Sequence, residues 1–514
     1  MLANLKILLY IEALMIIGLL MIHVLAGRAG RRALDGRLMA LVLGLPVVGF
    51  VMPGGRYAYM AVMVLVLPVL ARSRPDAARL YVAALPLMPM LSFSLVLPEP
   101  IGFLFMVDTP IMLTWGYLIA FLMHRRVGGQ VRYNALDTTA ILLWLCMAFI
   151  TIHLAFGAVT PTHVMRSFVL TSFSTIVPYL LISRSLDRPA HLEAVIQALA
   201  ITGLLLAVVA LFEMVKHWPL YHAVYRNIGV ERMYSVRLRG GFLRAPGPFS
   251  ESTSFGAFMA VAALAVTQMR GMYRSPFHRL GAIGVMMLGL LALSSRAAWL
   301  AFPVGLLCVQ LYRGRVWRVA FLIGLCVGAY GVVKVVGTAN SQMGEFLGVS
   351  GHAASTADYR EDLLSSGLKQ IAQRPLLGGN RSTLSANMAD MVQGEGMVDF
   401  VNVYLFVGLF AGLVGLALFL SSFAVLAAWL GRMRSRWRRA AYRQSLTFVV
   451  AMAGAYAFLL TVQSLADRNP YWLVLLFALG RGLQRAVAYE GRAKRKEVVA
   501  EAAPPTGLQD ALPA

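Results

Sequence analysis

The chain of 514 residues is 59% apolar and 13% charged, and its formal net charge at pH 7 is +23. The charged share is roughly half that of a soluble domain, so most of the chain cannot face water. The basic residues lie in short clusters between apolar stretches, where loop orientation at a membrane explains them, and this excludes nucleic acid as the expected partner.

The apolar stretches are roughly 16 to 25 residues long, the length at which a helix crosses about 30 Å of hydrocarbon. They predict an all-α fold, a polytopic transmembrane helical bundle of about fourteen spans, with thirteen to fifteen as the range. Fifteen stretches qualify as candidate spans, and about fourteen are expected because one of them is weak; in chain order they are 5–26, 37–53, 56–71, 79–97, 102–123, 137–157, 164–183, 190–214, 251–269, 278–293, 296–312, 317–337, 400–428, 443–463 and 469–485.

Arginine clusters on alternate connections fix the expected orientation, because cytoplasmic loops carry the excess of Lys and Arg. They predict a multi-pass protein of the bacterial inner membrane with its C-terminus in the cytoplasm. The predicted segments are N-terminal helices at 1–214, a first extracytoplasmic loop at 215–250, central helices at 251–337, a second, partly helical extracytoplasmic loop at 338–399, C-terminal helices at 400–489 and a disordered cytoplasmic tail at 490–514.

Both predicted outer loops carry arginines where the orientation rule expects few. A guanidinium offers a planar fork to phosphate oxygens, so a polyprenyl diphosphate at the outer leaflet is the expected ligand. Lipid headgroup contact is the alternative for any single arginine. The arginines are Arg226, Arg232, Arg237, Arg239 and Arg244 in the first loop, Arg360, Arg374 and Arg381 in the second, and Arg296 at a helix junction between them.

The second loop contains an amphipathic segment at 357–373 that predicts a helix. Its apolar side chains share one face, and Pro375 with Gly378 would end the helix. Such a helix can lie on the membrane and close over a lipid-linked substrate. The shared face carries Leu363, Leu364, Leu368 and Ile371.

Four motifs within roughly residues 235–430 together carry a family resemblance. Their order and their common placement on the outer side resemble the O-antigen ligase and Wzy-type polymerase superfamily. The motifs are Arg244-Ala245-Pro246-Gly247-Pro248-Phe249, Ser294-Ser295-Arg296, Arg360 through Arg374-Pro375-Leu376-Leu377-Gly378-Gly379, and Asp399-Phe400-Val401-Asn402-Val403-Tyr404-Leu405 followed by Gly408, Gly412 and Gly415.

The resemblance implies a metal-independent glycosyltransferase of the GT-C type that needs no cofactor. By analogy Arg244 and Arg360 would hold the diphosphate, Arg296 would be a third contact, and Arg239 and Arg374 complete the expected binding set. Arginines can stabilise the charge of a departing diphosphate without a metal ion, and the sequence has no DxD motif or clustered Asp and His that would hold one.

The expected general base departs from the family pattern. In the ligase branch a histidine precedes the Asn/Ser-x-x-Leu segment, and Val401 stands at that position here. Asp399, Glu395 and His352 are the alternative catalytic candidates, although Asp399 could instead cap a helix beginning near Phe400. The absent histidine shifts the expectation from ligase toward polymerase.

The sequence therefore predicts a polymerase of a bacterial surface or exopolysaccharide, which transfers a polyprenyl-diphosphate-linked glycan to another lipid-linked repeat unit. The alternatives are a ligase to lipid A core or protein and, from another class, a flippase of lipid-linked glycans. A flippase needs polar groups along its central helices, whereas the unusual charges here gather at one face. The expected partners are the lipid-linked glycan, membrane lipid, and a chain-length regulator or other polysaccharide export proteins.

Overall fold

A computed structural model describes residues 2–51, 56–96, 103–124, 134–154, 160–228, 237–347, 352–392, 398–438, 440–465 and 467–502. Helices dominate these residues. In chain order the elements are α1 (Leu2–Leu25), α2 (Arg28–Ala33), α3 (Gly36–Val51), α4 (Arg56–Leu70), α5 (Arg74–Leu87), β1 (Ser92–Val96), β2 (Phe103–Asp108), α6 (Thr109–Met123), α7 (Ala135–His153), α8 (Pro161–Thr171), a π-helical turn (Ser172–Ile176), α9 (Val177–Ser185), α10 (Pro189–Lys216), α11 (His222–Ile228), β3 (Leu238–Arg239), β4 (Phe242–Leu243), α12 (Ser252–Gln268), a 3₁₀ turn (Arg270–Met272), α13 (Pro276–Ala292), α14 (Arg296–Tyr312), α15 (Val316–Ala339), α16 (Ser341–Leu347), α17 (His352–Gln373), α18 (Arg381–Asn387), a 3₁₀ turn (Ala389–Met391), α19 (Val403–Arg432), a 3₁₀ turn (Met433–Arg438), α20 (Ala440–Leu459) and α21 (Asn469–Ala502).

The helices are those of a membrane protein. Six stretches of the described chain are long and apolar enough to span a bilayer: α1, α7, α8 to α9, α10, α15 and α19. Six shorter apolar helices accompany them, so the expected number of about fourteen spans stays a prediction. Large apolar side chains such as Val69, Trp317 and Val327 are exposed on the outside of the bundle, where water would penalise them and lipid does not.

The centre of the bundle is α10, which packs against α12 and α13 through small residues. A Cβ on Gly203 would collide with that of Ala262, and one on Gly289 would lie 2.6 Å from the Cβ of Ala207. Small residues let helix backbones approach closely where the hydrophobic effect cannot draw helices together. The same helices carry the site at one end of the bundle.

The predicted span 79–97 is wrong as a continuous helix. Helix α5 is capped by the Ser73 side chain, ends at Leu87, and is followed by β1, which pairs with β2 in an antiparallel hairpin. Pro89 disfavours helix at the residue before it and removes a backbone donor. Hydropathy alone does not separate a short buried strand from a helix.

The second predicted loop is partly helical, as expected, and contains α16, α17 and α18. The segment expected to be a disordered tail differs from its prediction, because α21 continues through it as far as Ala502. Residues 503–514 lie outside the described part of the chain.

Candidate functional site

The first arginine-bearing loop folds into a small hairpin. Strands β3 and β4 pair Leu238 with Leu243 and Arg239 with Phe242. Gly240 and Gly241 form the two-residue turn with φ values of +54° and +80°. Positive φ at both central positions is what a type I′ hairpin turn requires, and glycine adopts it without strain. The turn fixes the directions of Arg239 and of Arg244, which follows β4.

The hairpin docks onto the junction between α13 and α14. Arg239 donates from Nη1 to the carbonyl of Ser294 at 2.8 Å, and Arg244 donates from Nε to that of Leu293 at 3.5 Å. The backbone of Ala245 donates to Ala292 at 3.3 Å. Helix α14 begins at Arg296, directly after this junction. Two predicted motifs separated by fifty residues therefore meet here.

Buried charged groups hold the segment that follows Arg244. Glu213, fully buried at the end of α10, accepts the backbone N–H of Leu220 at 2.9 Å and that of Gly247 at 2.8 Å. Asp467 accepts both the backbone N–H and the hydroxyl of Ser250 at 2.9 Å. Because an unpaired buried carboxylate is costly, these contacts fix the loop strongly.

Arg468 also contacts the segment that follows Arg244. Its guanidinium lies 4.3 Å from the ring centroid of Phe249 and donates to the carbonyl of Pro248 at 3.1 Å and to that of Met88. The Phe249 ring in turn stacks on Phe255 of α12. The arginine, buried between the loop and the bundle, makes the loop a rigid platform.

The second arginine-bearing segment is α17, which lies across the first turns of α19. A Cβ on Gly367 would lie 2.7 Å from Leu405, and one on Gly408 would lie 2.8 Å from Ile371. Arg360 is partly buried near the start of this helix, and its Nε is buried without a hydrogen-bond partner among the described residues. A buried donor without a partner is uncommon, which makes Arg360 a candidate for contact with a ligand.

A break in α19 anchors the end of α17. Gly412 has a non-helical backbone with φ of +64°, so the helix hydrogen bonds around it are interrupted. Three replacement bonds come from the Pro375–Gly379 turn, and one comes from α7. They run from Leu413 N–H to the Pro375 carbonyl at 2.7 Å, from Val414 N–H to Leu376 at 3.4 Å, from Gly379 N–H to Leu409 at 2.7 Å, and from His153 Nδ1 to Phe410 at 2.7 Å.

These bonds replace two hydrogen bonds that the break removes from the helix. In a regular helix the N–H groups of 413 and 414 would bond the carbonyls of 409 and 410, and all four groups have new partners here. Non-helical backbone inside a membrane protein needs such partners. The Pro-Leu-Leu-Gly-Gly motif and the glycine-rich segment therefore form one structural unit.

Five arginines act on one another by their charges: three belong to the β3–β4 hairpin and its flanking residues, one to α14 and one to α17. Burial, then the charges of Arg239 and Arg237, lower the pKa of Arg244 to about 10. Burial and the charges of Arg296 and Arg360 lower the pKa of Arg239. Guanidinium groups remain charged at neutral pH, so their mutual repulsion favours binding of a multiply charged anion. This arginine cluster is the candidate site.

Two carboxylates lie beside the arginine cluster. Asp399 acts on Arg360 by its charge, and its backbone is held by the Tyr359 hydroxyl, which accepts from its N–H at 3.2 Å. Glu251 opens α12, where burial raises its pKa and the charges of Asp467 and Asp399 raise it further. Sequence reasoning missed Glu251, although it lies two residues beyond the Arg244–Phe249 motif.

The start of α19 tests the alternative role of Asp399 as a helix cap. Helix α19 begins at Val403 with the Asn402 side chain as its cap, accepting from Leu405 N–H at 3.1 Å. The alternative in which Asp399 caps a helix near Phe400 is therefore wrong. Glu395 lies outside the described residues, as does the side chain of His352 at the start of α17.

Arg374 is not brought to the cluster. It follows α17 on the exposed side, fourteen residues after Arg360, which corresponds to roughly 21 Å along a helix. Arg239, Arg244, Arg296 and Arg360 are brought together as expected.

Comparison with protein families gives a match in the second half of the chain. Residues 281–420 match the family model described as O-antigen ligase, from α13 into α19, a region that includes Arg296, Arg360 and the break at Gly412. A search of curated proteins finds no match to the chain. Residues 281–420 therefore resemble an O-antigen ligase domain, which is consistent with the superfamily of O-antigen ligases and Wzy-type polymerases.

Proposed function

We propose that this protein is a polysaccharide polymerase that transfers a glycan from a polyprenyl diphosphate to a hydroxyl of another lipid-linked repeat unit at the outer face of the bacterial inner membrane. The observation that supports it is the convergence of Arg237, Arg239, Arg244, Arg296 and Arg360 at one end of an apolar bundle. A diphosphate attached to a lipid matches both the charge and the location.

The reaction is a displacement at the anomeric carbon of the donor. The acceptor hydroxyl forms the new glycosidic bond while the bond from the anomeric carbon to the diphosphate oxygen breaks, and the electron pair leaves on the diphosphate. The arginine cluster stabilises this charge as it develops. Asp399 or Glu251 takes the hydroxyl proton, since both carboxylates lie beside the arginine cluster.

Replacing Arg244 or Arg360 with Ala tests this function. Each variant should lose long-chain polymer by at least tenfold in a cell lacking the native gene, while its amount in the membrane stays normal. Lys369 is exposed on the same helix as Arg360, so Lys369→Ala is the matched control and should retain polymer. Normal polymer from both arginine variants would overturn the proposal.

A ligase is the second candidate, because the family model carries that description. The absence of histidine at Val401 argues against it. Deleting the gene separates the two functions: loss of a polymerase leaves single repeat units on the carrier, whereas loss of a ligase leaves finished polymer there.

A further inference from the structure

A second basic site lies at the opposite end of the bundle. Helix α12 runs from Ser252, which follows Glu251 beside the arginine cluster, to Gln268, and α14 runs from Arg296 to Tyr312, about 26 Å in each case. A cavity of about 210 Å³ opens where these helices end and α20 begins. Its lining consists of Gln268, Arg270, Arg313, Arg315, Arg443, Gln444 and Thr447.

The lining consists of four arginines and three neutral polar residues. Among the described residues, no carboxylate lines the cavity. Burial, then the charges of Arg270 and Arg315, lower the pKa of Arg313 to about 10, and burial with the charge of Arg279 lowers that of Arg270. Like charges held this close are stable only if an anion or solvent offsets their repulsion.

Membrane orientation alone does not account for this arrangement. The positive-inside rule requires arginines at the cytoplasmic end, but it is satisfied when they extend separately into the headgroup region. Here arginines from two connections and from the first turn of α20 converge on one cavity. Buried Gln268 and Thr447 line the same cavity with neutral polar groups.

We propose that this cavity binds a phosphate-bearing anion from the cytoplasmic side, and that its place at the membrane surface favours the headgroup of an anionic phospholipid. Guanidinium groups give phosphate oxygens short charge-assisted bonds, and the neutral amides and hydroxyl can bind the remaining oxygens. Basic pockets between transmembrane helices on this side are suited to such headgroups. The site is separate from the one that holds the donor.

Thermal unfolding of the purified full chain tests the proposal. In a phosphatidylcholine background, phosphatidylglycerol should raise the Tm of the wild type by several degrees, and Arg313→Gln with Arg443→Gln should lose at least half of that rise. The control is Arg28→Gln with Arg32→Gln, which removes two exposed charges from the α2 connection beside the Arg270–Met272 turn and should keep the rise.

Two further measurements keep the test decisive. Inorganic phosphate at millimolar concentration distinguishes the sources: if it reproduces the rise and phosphatidylglycerol adds nothing, the phosphate site stands and its ligand is soluble. If the first double variant does not fold, Arg270→Gln with Arg315→Gln replaces it, since both side chains are exposed. An equal rise in wild type and cavity variants, or no rise with either anion, overturns the proposal.

Discussion

Glu213 shows how a single buried carboxylate places the functional loop. Each of its oxygens accepts one backbone N–H, from Leu220 and from Gly247, so a residue of α10 fixes the turn three positions after Arg244. The sequence marks Glu213 as unusual because charges inside apolar spans are costly. It does not reveal the partners, since one lies 34 residues away and the contact depends on tertiary packing.

Replacing Glu213 with Gln should misplace this loop without preventing membrane insertion. The amide can accept one N–H but presents its own donors to the other, leaving a buried donor unpaired at a cost of about 1–3 kcal/mol. We expect a lower Tm and at least a tenfold loss of polymer. The matched control is Glu193→Gln on the same helix, where the side chain is partly exposed. Full activity in the Glu213 variant would contradict the positioning role.

At Arg374 the prediction from the sequence motif and the structure disagree. The sequence prediction includes it among the diphosphate contacts, whereas the length of α17 separates it from Arg360 by roughly 21 Å. Arg374→Ala should therefore retain most polymer, and Arg360→Ala should not. The comparison is polymer length on a gel at matched protein levels. If both variants lose polymer equally, the arginine cluster is larger than the described geometry indicates.

At the scale of elements, the interrupted helix α19 is the feature that assembles the second half of the site. The Pro375–Gly379 turn bonds the broken backbone at Gly412, and α17, which carries Arg360, is thereby fixed across α19. Hydropathy predicts the helix, and the glycines suggest irregular backbone. Neither indicates which segment supplies the missing hydrogen bonds, because these partners come from a loop more than thirty residues away.

Gly412→Ala should disrupt the packing of the Pro375–Gly379 turn against the break in α19. A side chain at φ of +64° costs about 1–2 kcal/mol, and the added Cβ would collide with the Leu376 carbonyl, so the turn must move away. We expect a lower Tm and loss of polymer. Gly431→Ala on the same helix is the control, since a Cβ there meets nothing within 4 Å. Unchanged Tm and polymer in the Gly412 variant would show that the break is dispensable.

At the scale of the whole molecule, sequence reasoning predicts the helical class and four of the five arginines that carry the proposed binding set, because apolar length and misplaced charge are local signals. It fails where the same local pattern of apolar residues is compatible with both a helix and a strand. The run around Ser92–Val96 is apolar enough for a span but forms a strand, and the partner strand that decides this begins only at Phe103. The periodicity of apolar residues likewise does not reveal contacts between loops that are distant in sequence.

The orientation of the bundle decides whether both halves of the proposed site face the same compartment. Single cysteines at Leu238 and Gln373 should react with a membrane-impermeant maleimide in intact spheroplasts, whereas one at Ser435 should react only after permeabilisation. All three positions are exposed, and the native Cys146, Cys308 and Cys326 are first replaced by Ala.

This labelling pattern follows from the geometry of α14, which begins at the arginine cluster and ends at the basic cavity. Its length of about 26 Å approaches the thickness of the hydrocarbon core, so the two basic ends must lie at opposite surfaces. The hairpin and α17 share the first surface, which requires positions 238 and 373 to be labelled together. If positions 238 and 373 are labelled from opposite sides, the arginines of the hairpin and of α17 cannot form one site. The proposed glycosyl transfer would then be wrong.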